Sequence, residues 1–219
     1  MRTRRTTART RLAQAAAAGS AVLLTLAVLA PTAEAKSPHQ VDPALMVPAL
    51  NPAFAPWSCF ETGVKITCQG SYEQTYANEP FGLQCDGQEV YISGTARERM
   101  TRWQTAEGLA TKTVVHLDFP GDVFSLSPTG EGPSLTISGH FNRHYTYLVP
   151  GDRDSRVLTE VGAIYLAKAP GGGGLVLHDT GSVEFEPGAE FDVIASMKGV
   201  HDVYSDPAIV DRVICDALT

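Results

Sequence analysis

In the segment 174–185, Leu175, Leu177, Val183 and Phe185 fall on one parity, and Asp179 falls on it too. Successive side chains of a strand point to opposite faces, so this carboxylate belongs to a row that should face a core. The same test finds three further polar intruders. Glu98 shares a row with Val90, Ile92, Ala96 and Met100. Arg143 shares one with Leu135, Ile137, Phe141, Tyr145 and Tyr147. His201 ends the row Phe191, Val193, Ala195 and Met197. On residues 156–168 the row Val157, Val161, Ala163 and Tyr165 offers only a phenol.

Buried charges are costly unless paired and hydrogen-bonded. Arginine suits such pairing, because its planar fork binds a carboxylate at two points. Arg143 is therefore expected to meet Glu98, Asp179 or both. Three readings stay open: a structural pair that fixes strand register, a cluster facing a ligand, or a β-bulge at Thr180-Gly181 that turns Asp179 to water. The candidate binding set is Glu98, Phe141, Arg143, Tyr145, Tyr165, Asp179, Met197 and His201. Glu98 with Asp179 can do acid–base work if their environments split their pKa values.

Other chemistry is weakly signalled. His140, Asn142 and His144 share an outward parity, as do His116 and Asp118, and imidazole with carboxylate can ligate a metal. Alternate polar residues on a strand are more often simply solvated, so no metal and no cofactor are expected. There is no G-x-S-x-G elbow. Gly171 to Gly174 lacks the Lys-Ser/Thr of a phosphate loop and reads as a hairpin tip. No catalytic residue is assigned.

The elements that must position these residues read as β. Strand-like runs near 63–76, 88–103, 110–119, 133–147, 156–168, 174–186 and 190–200 alternate with turn signals such as Asn78-Glu-Pro80, Gly151-Asp152 and Pro187-Gly188. Short connections join neighbouring antiparallel strands. No helical period interrupts them until Asp206-Pro207. There Asp206 can cap and Pro207 can open a short helix with the stripe Ile209, Val210, Val213, Ile214 and Leu218. The fold class is all-β with a short C-terminal helix. Closure into an up-and-down antiparallel barrel would hide the edges, and a two-sheet sandwich is the alternative.

Residues 1–35 read as a cleaved signal peptide: five arginines, an apolar run from Leu12 to Ala30, and Ala33-Glu-Ala35 as the cleavage site. An N-terminal membrane anchor is the alternative. Residues 36–58 form a Pro-rich extended leader, and 59–219 form the β domain. Without residues 1–35, 12 basic and 23 acidic residues remain, a net charge of −11 against −7 for the whole chain. Such a surface repels nucleic acid and anionic lipid. Neither nucleic-acid nor membrane binding is expected of the mature chain, which would be secreted and soluble. Cys59, Cys68, Cys85 and Cys215 form an even set, which in an exported chain reads as disulfides. Of three possible pairings, Cys59–Cys68 with Cys85–Cys215 is favoured: one closes a local loop and the other ties the last helix to an early strand.

Cys85-Asp-Gly-Gln, "TARERMTRW" at 95–103, "PSLTISGHFNRHYTY" at 133–147, "GLVLHDTGSVEF" at 174–185 and "VICDAL" at 213–218 together resemble a group of secreted actinobacterial proteins without a defined function. The resemblance spans roughly residues 85–218. It implies a small exported β-barrel, with a Cys near the first long strand accompanying one near the C-terminus. It implies no reaction and no ligand. The expected function is a secreted, non-catalytic barrel that binds an apolar or amphipathic small molecule in its mouth. The alternatives are an isomerase- or cyclase-type enzyme using the same cavity, and an extracellular protein- or cell-wall-binding module.

Overall fold

The computed structural model describes residues 38–168, 174–189, 191 and 193–219. The signal segment and the Gly171–Gly173 part of the expected hairpin tip lie outside them. Nine strands form one antiparallel sheet in sequence order: β1 His39–Gln40, β2 Ser58–Thr62, β3 Lys65–Cys85, β4 Gln88–Thr105, β5 Ala110–Ser125, β6 Ser134–Tyr147, β7 Arg156–Lys168, β8 Leu175–Phe185 and β9 Ile194–His201. Two helices follow, α1 Asp202–Ser205 and α2 Ile209–Leu218.

Among the described residues no pairing joins β9 back to an early strand, so the sheet is open and single. Neither barrel closure nor two facing sheets is seen. The concave face is filled from both chain ends instead. Ile214 and Leu218 of α2 pack with Cys85 of β3, Val90 of β4, Phe124 of β5, Ile137 of β6 and Leu177 of β8. One helix thus touches strands from most of the sheet's width, which requires a strongly curled sheet. The Cys85–Cys215 disulfide pins that helix to the end of β3.

The leader supplies the second filling. Five prolines did not exclude regular structure there. Pro43–Leu45 and Pro52–Phe54 are single 3-10 turns, each opened by proline after Asp42 or Asn51, whose side chains accept from the backbone two residues on. β1 lies on β2, and Val47 bridges to Leu109. The bulky end of the leader, Phe54, is buried against Val115, Leu117, Phe141, Leu158 and Val183. Met46 is buried with the Cys59–Cys68 disulfide and Ile66.

One expected turn proves to be a bulge. Asn78-Glu-Pro80 lies inside β3, where register shifts follow Tyr76 and Pro80. β2 pairs only with Lys65 to Gln69, so this half of β3 is a free edge, where proline costs no ladder bond. Pro120-Gly121 likewise sits in β5 at a shift between Phe119 and Asp122. A column of glycines, Gly162, Gly181 and Gly199, crosses β7, β8 and β9 in register. Gly181 has φ +136°, and a Cβ there would lie 2.0 Å from the Lys198 carbonyl oxygen. Only glycine allows so close a backbone approach, and such columns let a sheet bend sharply.

Candidate functional site

A cleft of about 500 Å³ lies between the leader and the concave face. Its roof is the leader from Pro48 to Pro52 with Phe54. Its floor is Glu98, Met100 and Arg102 of β4, Thr113 and Val115 of β5, and Arg143, Tyr145 and Tyr147 of β6. Arg153 and Arg156 close one end. A smaller hollow of about 220 Å³ adjoins it and shares Arg143, Tyr145, Arg153 and Arg156.

Strand parity explains the floor. Glu98, Met100 and Arg102 are alternate residues, as are Arg143, Tyr145 and Tyr147, so each triplet presents one face. Register places Arg102 opposite Thr113 and Met100 opposite Val115. Val115 in turn lies opposite Arg143, and Thr113 opposite Tyr145.

The charges pair differently from the sequence expectation. Arg143 meets neither Glu98 nor Asp179 directly. Its Nε donates to Glu160 Oε1 at 2.6 Å, and Glu160 is fully buried. The second Glu160 oxygen accepts from the Tyr204 hydroxyl of α1. Burial alone would lower the Arg143 pKa, but the Glu160 carboxylate and the phenols of Tyr145 and Tyr165 carry it above the ordinary guanidinium value. Burial, then the Glu160 charge, pushes the Tyr204 phenol far up, so it is held as a neutral donor.

Glu160 escaped the parity test because β7 was read in the wrong row. Leu158, Glu160 and Ile164 are buried, whereas Val161 is exposed. A register shift between Ala163 and Tyr165 then reverses the parity towards the end of the strand. Tyr165, directly after that shift, packs on the Phe119 ring rather than in the cleft, and burial raises its pKa.

Asp179 does face inward, fully buried, and no bulge sends it to water. Its Oδ1 lies 2.8 Å from His201 Nδ1, and its Oδ2 accepts from the Val203 backbone N–H at 3.0 Å. Both carboxylate oxygens are thereby occupied in holding α1 against β8, away from the cleft. Phe141 is a core residue beneath the Arg143 guanidinium, whose carbon lies 5.4 Å from its ring. Met197 is exposed on β9, because the sheet is open at that edge. Of the eight expected binding residues, then, Glu98, Arg143 and Tyr145 line the cleft. Among the outward histidines, His140 reaches Asp118 at 3.4 Å, and no group of three metal-ligating side chains occurs among the described residues.

Glu98 sits in the cleft wall with its carboxyl pushed above the usual range by burial, an effect the Arg143 charge partly offsets. Arg102, overlooked in sequence, is 4% exposed. Its Nη1 donates to the Ala49 carbonyl at 3.4 Å and its guanidinium carbon lies 6.0 Å from the Tyr147 ring. The parity of Glu98 and Met100, continued one step, would have found it.

Scans of protein-family models, of curated proteins and of solved structures return no match to this chain. What the fold and site define is a class by architecture: a curled, open, nine-stranded meander, stapled by two disulfides, with an arginine-rich cleft beneath its own leader. Both disulfides suit an oxidising, extracellular-type compartment. Among the described residues no helix is long and apolar enough to cross a membrane.

Proposed function

We propose that the chain is exported through residues 1–35 and acts as an extracellular binding protein, taking one amphipathic small molecule in the cleft between leader and sheet. The observation that carries this reading is the composition of the cleft. Met100, Val115, Phe54 and Tyr145 offer apolar and aromatic surface, while the guanidinium groups of Arg102 and Arg143 line the same cleft. A volume of about 500 Å³ suits a ligand of drug-like size. The reading needs no closed barrel, since the leader provides the cover that a barrel mouth would. The resemblance to secreted actinobacterial proteins agrees with the export step.

Native mass spectrometry of the disulfide-bonded chain purified from culture medium tests it. One co-purified small molecule per chain is expected, and it should be absent from Val115→Trp, which fills the cleft. A chain that carries no added mass and takes none from extracted culture lipids overturns the reading.

Glu98 favours a second reading, acid–base chemistry on the bound molecule, because its raised pKa suits proton transfer. In deuterated solvent that chemistry would introduce deuterium at carbon in the ligand, and Glu98→Gln would abolish the uptake.

A further inference from the structure

Arg102 and Thr113 face each other across the β4–β5 ladder, and both line the cleft floor. Both are buried, and both carry hydrogen-bonding atoms without partners among the described residues: Nε and Nη2 of Arg102, and Oγ1 of Thr113. A buried donor left unmade costs free energy, so such groups in a native fold call for an explanation. The pattern within the guanidinium is informative. Nη1 is the nitrogen turned toward Ala49. The Nε–H and Nη2–H that remain form one side of the planar fork and point in parallel, the edge that grips two oxygens of a carboxylate. Thr113 adds a hydroxyl on the adjacent strand.

Arg143, bound to Glu160, borders the same cleft, as do Arg153 and Arg156. Burial lowers the Arg102 pKa, and the Tyr147 phenol opposes that shift. A bound anion would act in the same sense as Tyr147.

We infer that the cleft recognises a carboxylate-bearing amphiphile, its two carboxylate oxygens seated on the Nε/Nη2 edge of Arg102, one of them also accepting from Thr113, and its apolar body along Met100 and Val115. This deepens the binding reading above and rests on it. The unpaired edge is shielded from bulk water, so the head reaches it by parting the leader from β4. The long contact between Nη1 and Ala49 is the one that yields.

Calorimetric titration of the full disulfide-bonded chain with octanoate and 3-phenylpropanoate, each against the matching alcohol, tests the inference. At least one acid should bind tenfold or more tighter than its alcohol. Arg102→Lys, which keeps the charge but not the fork, should lose most of that preference, and Thr113→Val should weaken the acid several-fold. Alcohols that bind as well as acids overturn the carboxylate inference and leave the binding reading standing. Failure of every probe, together with failure to take up any molecule from culture extract, overturns both. Should the variants not fold, the wild-type chain still decides: the Arg102 Nε–H resonance must shift on adding the acid that binds, and an unmoved resonance refutes the inference.

Discussion

His201 is held between two acceptors: its Nδ1 lies 2.8 Å from Asp179 Oδ1, and its Nε2 lies 3.1 Å from the Lys198 carbonyl oxygen. A carboxylate and a carbonyl both accept, so the tautomer of the ring decides which of the two contacts its N–H makes. The His201 and Asp179 side chains are 3% and 0% exposed. This pair fixes the end of β9 to β8, and Asp179 ties the first turn of α1 to the same point through Val203.

Removing one member of a buried, hydrogen-bonded pair strands the other. His201→Leu is expected to cost about 3–5 kcal/mol in urea unfolding. Asp179→Leu should cost a similar amount, and the double variant should lose clearly less than the sum of the singles. Strict additivity would mean that the two side chains do not stabilise one another.

Glu98 should report through pH. Its folded-state pKa is raised, so above that value the native chain carries a charge that burial disfavours, while below the unfolded value of 4.5 both states are protonated. In the interval between, the folded state binds more protons than the unfolded, and wild-type stability falls as pH rises. Glu98→Gln removes the charge at every pH. It is expected to melt higher than wild type at neutral pH, with the advantage shrinking on acidification and gone below about pH 4. A difference that ignores pH would assign the effect to packing.

The parity of single strands was legible, and so were the residues it placed inward. Phe141, Leu177, Val183 and Asp179 all follow the alternation of their segments, because no bulge interrupts those stretches. Partners were not legible, since pairing depends on which strand lies alongside and in what register. Arg143 therefore found Glu160, its cross-strand neighbour on β7, rather than the expected carboxylates. Glu160 was concealed because Val157, Val161, Ala163 and Tyr165 outnumber the row that is buried, and the shift after Ala163 lets both rows look apolar. The disulfide pairing emerged as favoured, because one pair closes a hairpin and the other joins distant ends. The open sheet did not emerge: alternation describes each strand and carries no information on whether the last one meets an early one.

Phe54 tests whether the leader belongs to the fold. Phe54 is 3% exposed and packs among core residues of β5, β6, β7 and β8, with Trp57 and Tyr72 beside it. Phe54→Ala is expected to cost about 3–5 kcal/mol, with unfolding still a single transition. An unchanged melting temperature would make the leader an appendage and would remove the cleft's roof from consideration.

Gly181 lies at φ +136°, where an added Cβ would fall 2.0 Å from one backbone oxygen and 2.9 Å from the Gly199 Cα. Backbone cannot yield as a flexible side chain can, so β8 and β9 would have to separate or Gly181 would have to change conformation. Either movement displaces the Asp179–His201 contact two residues away on β8. Gly181→Ala is expected to lose more than about 2 kcal/mol and to speed amide exchange in β9. Gly174→Ala is the control, because its Cβ would meet nothing within 4 Å. If the two variants melt alike, the sheet does not bend at this column, and its curl has to come from the bulges of β3 and β5 instead.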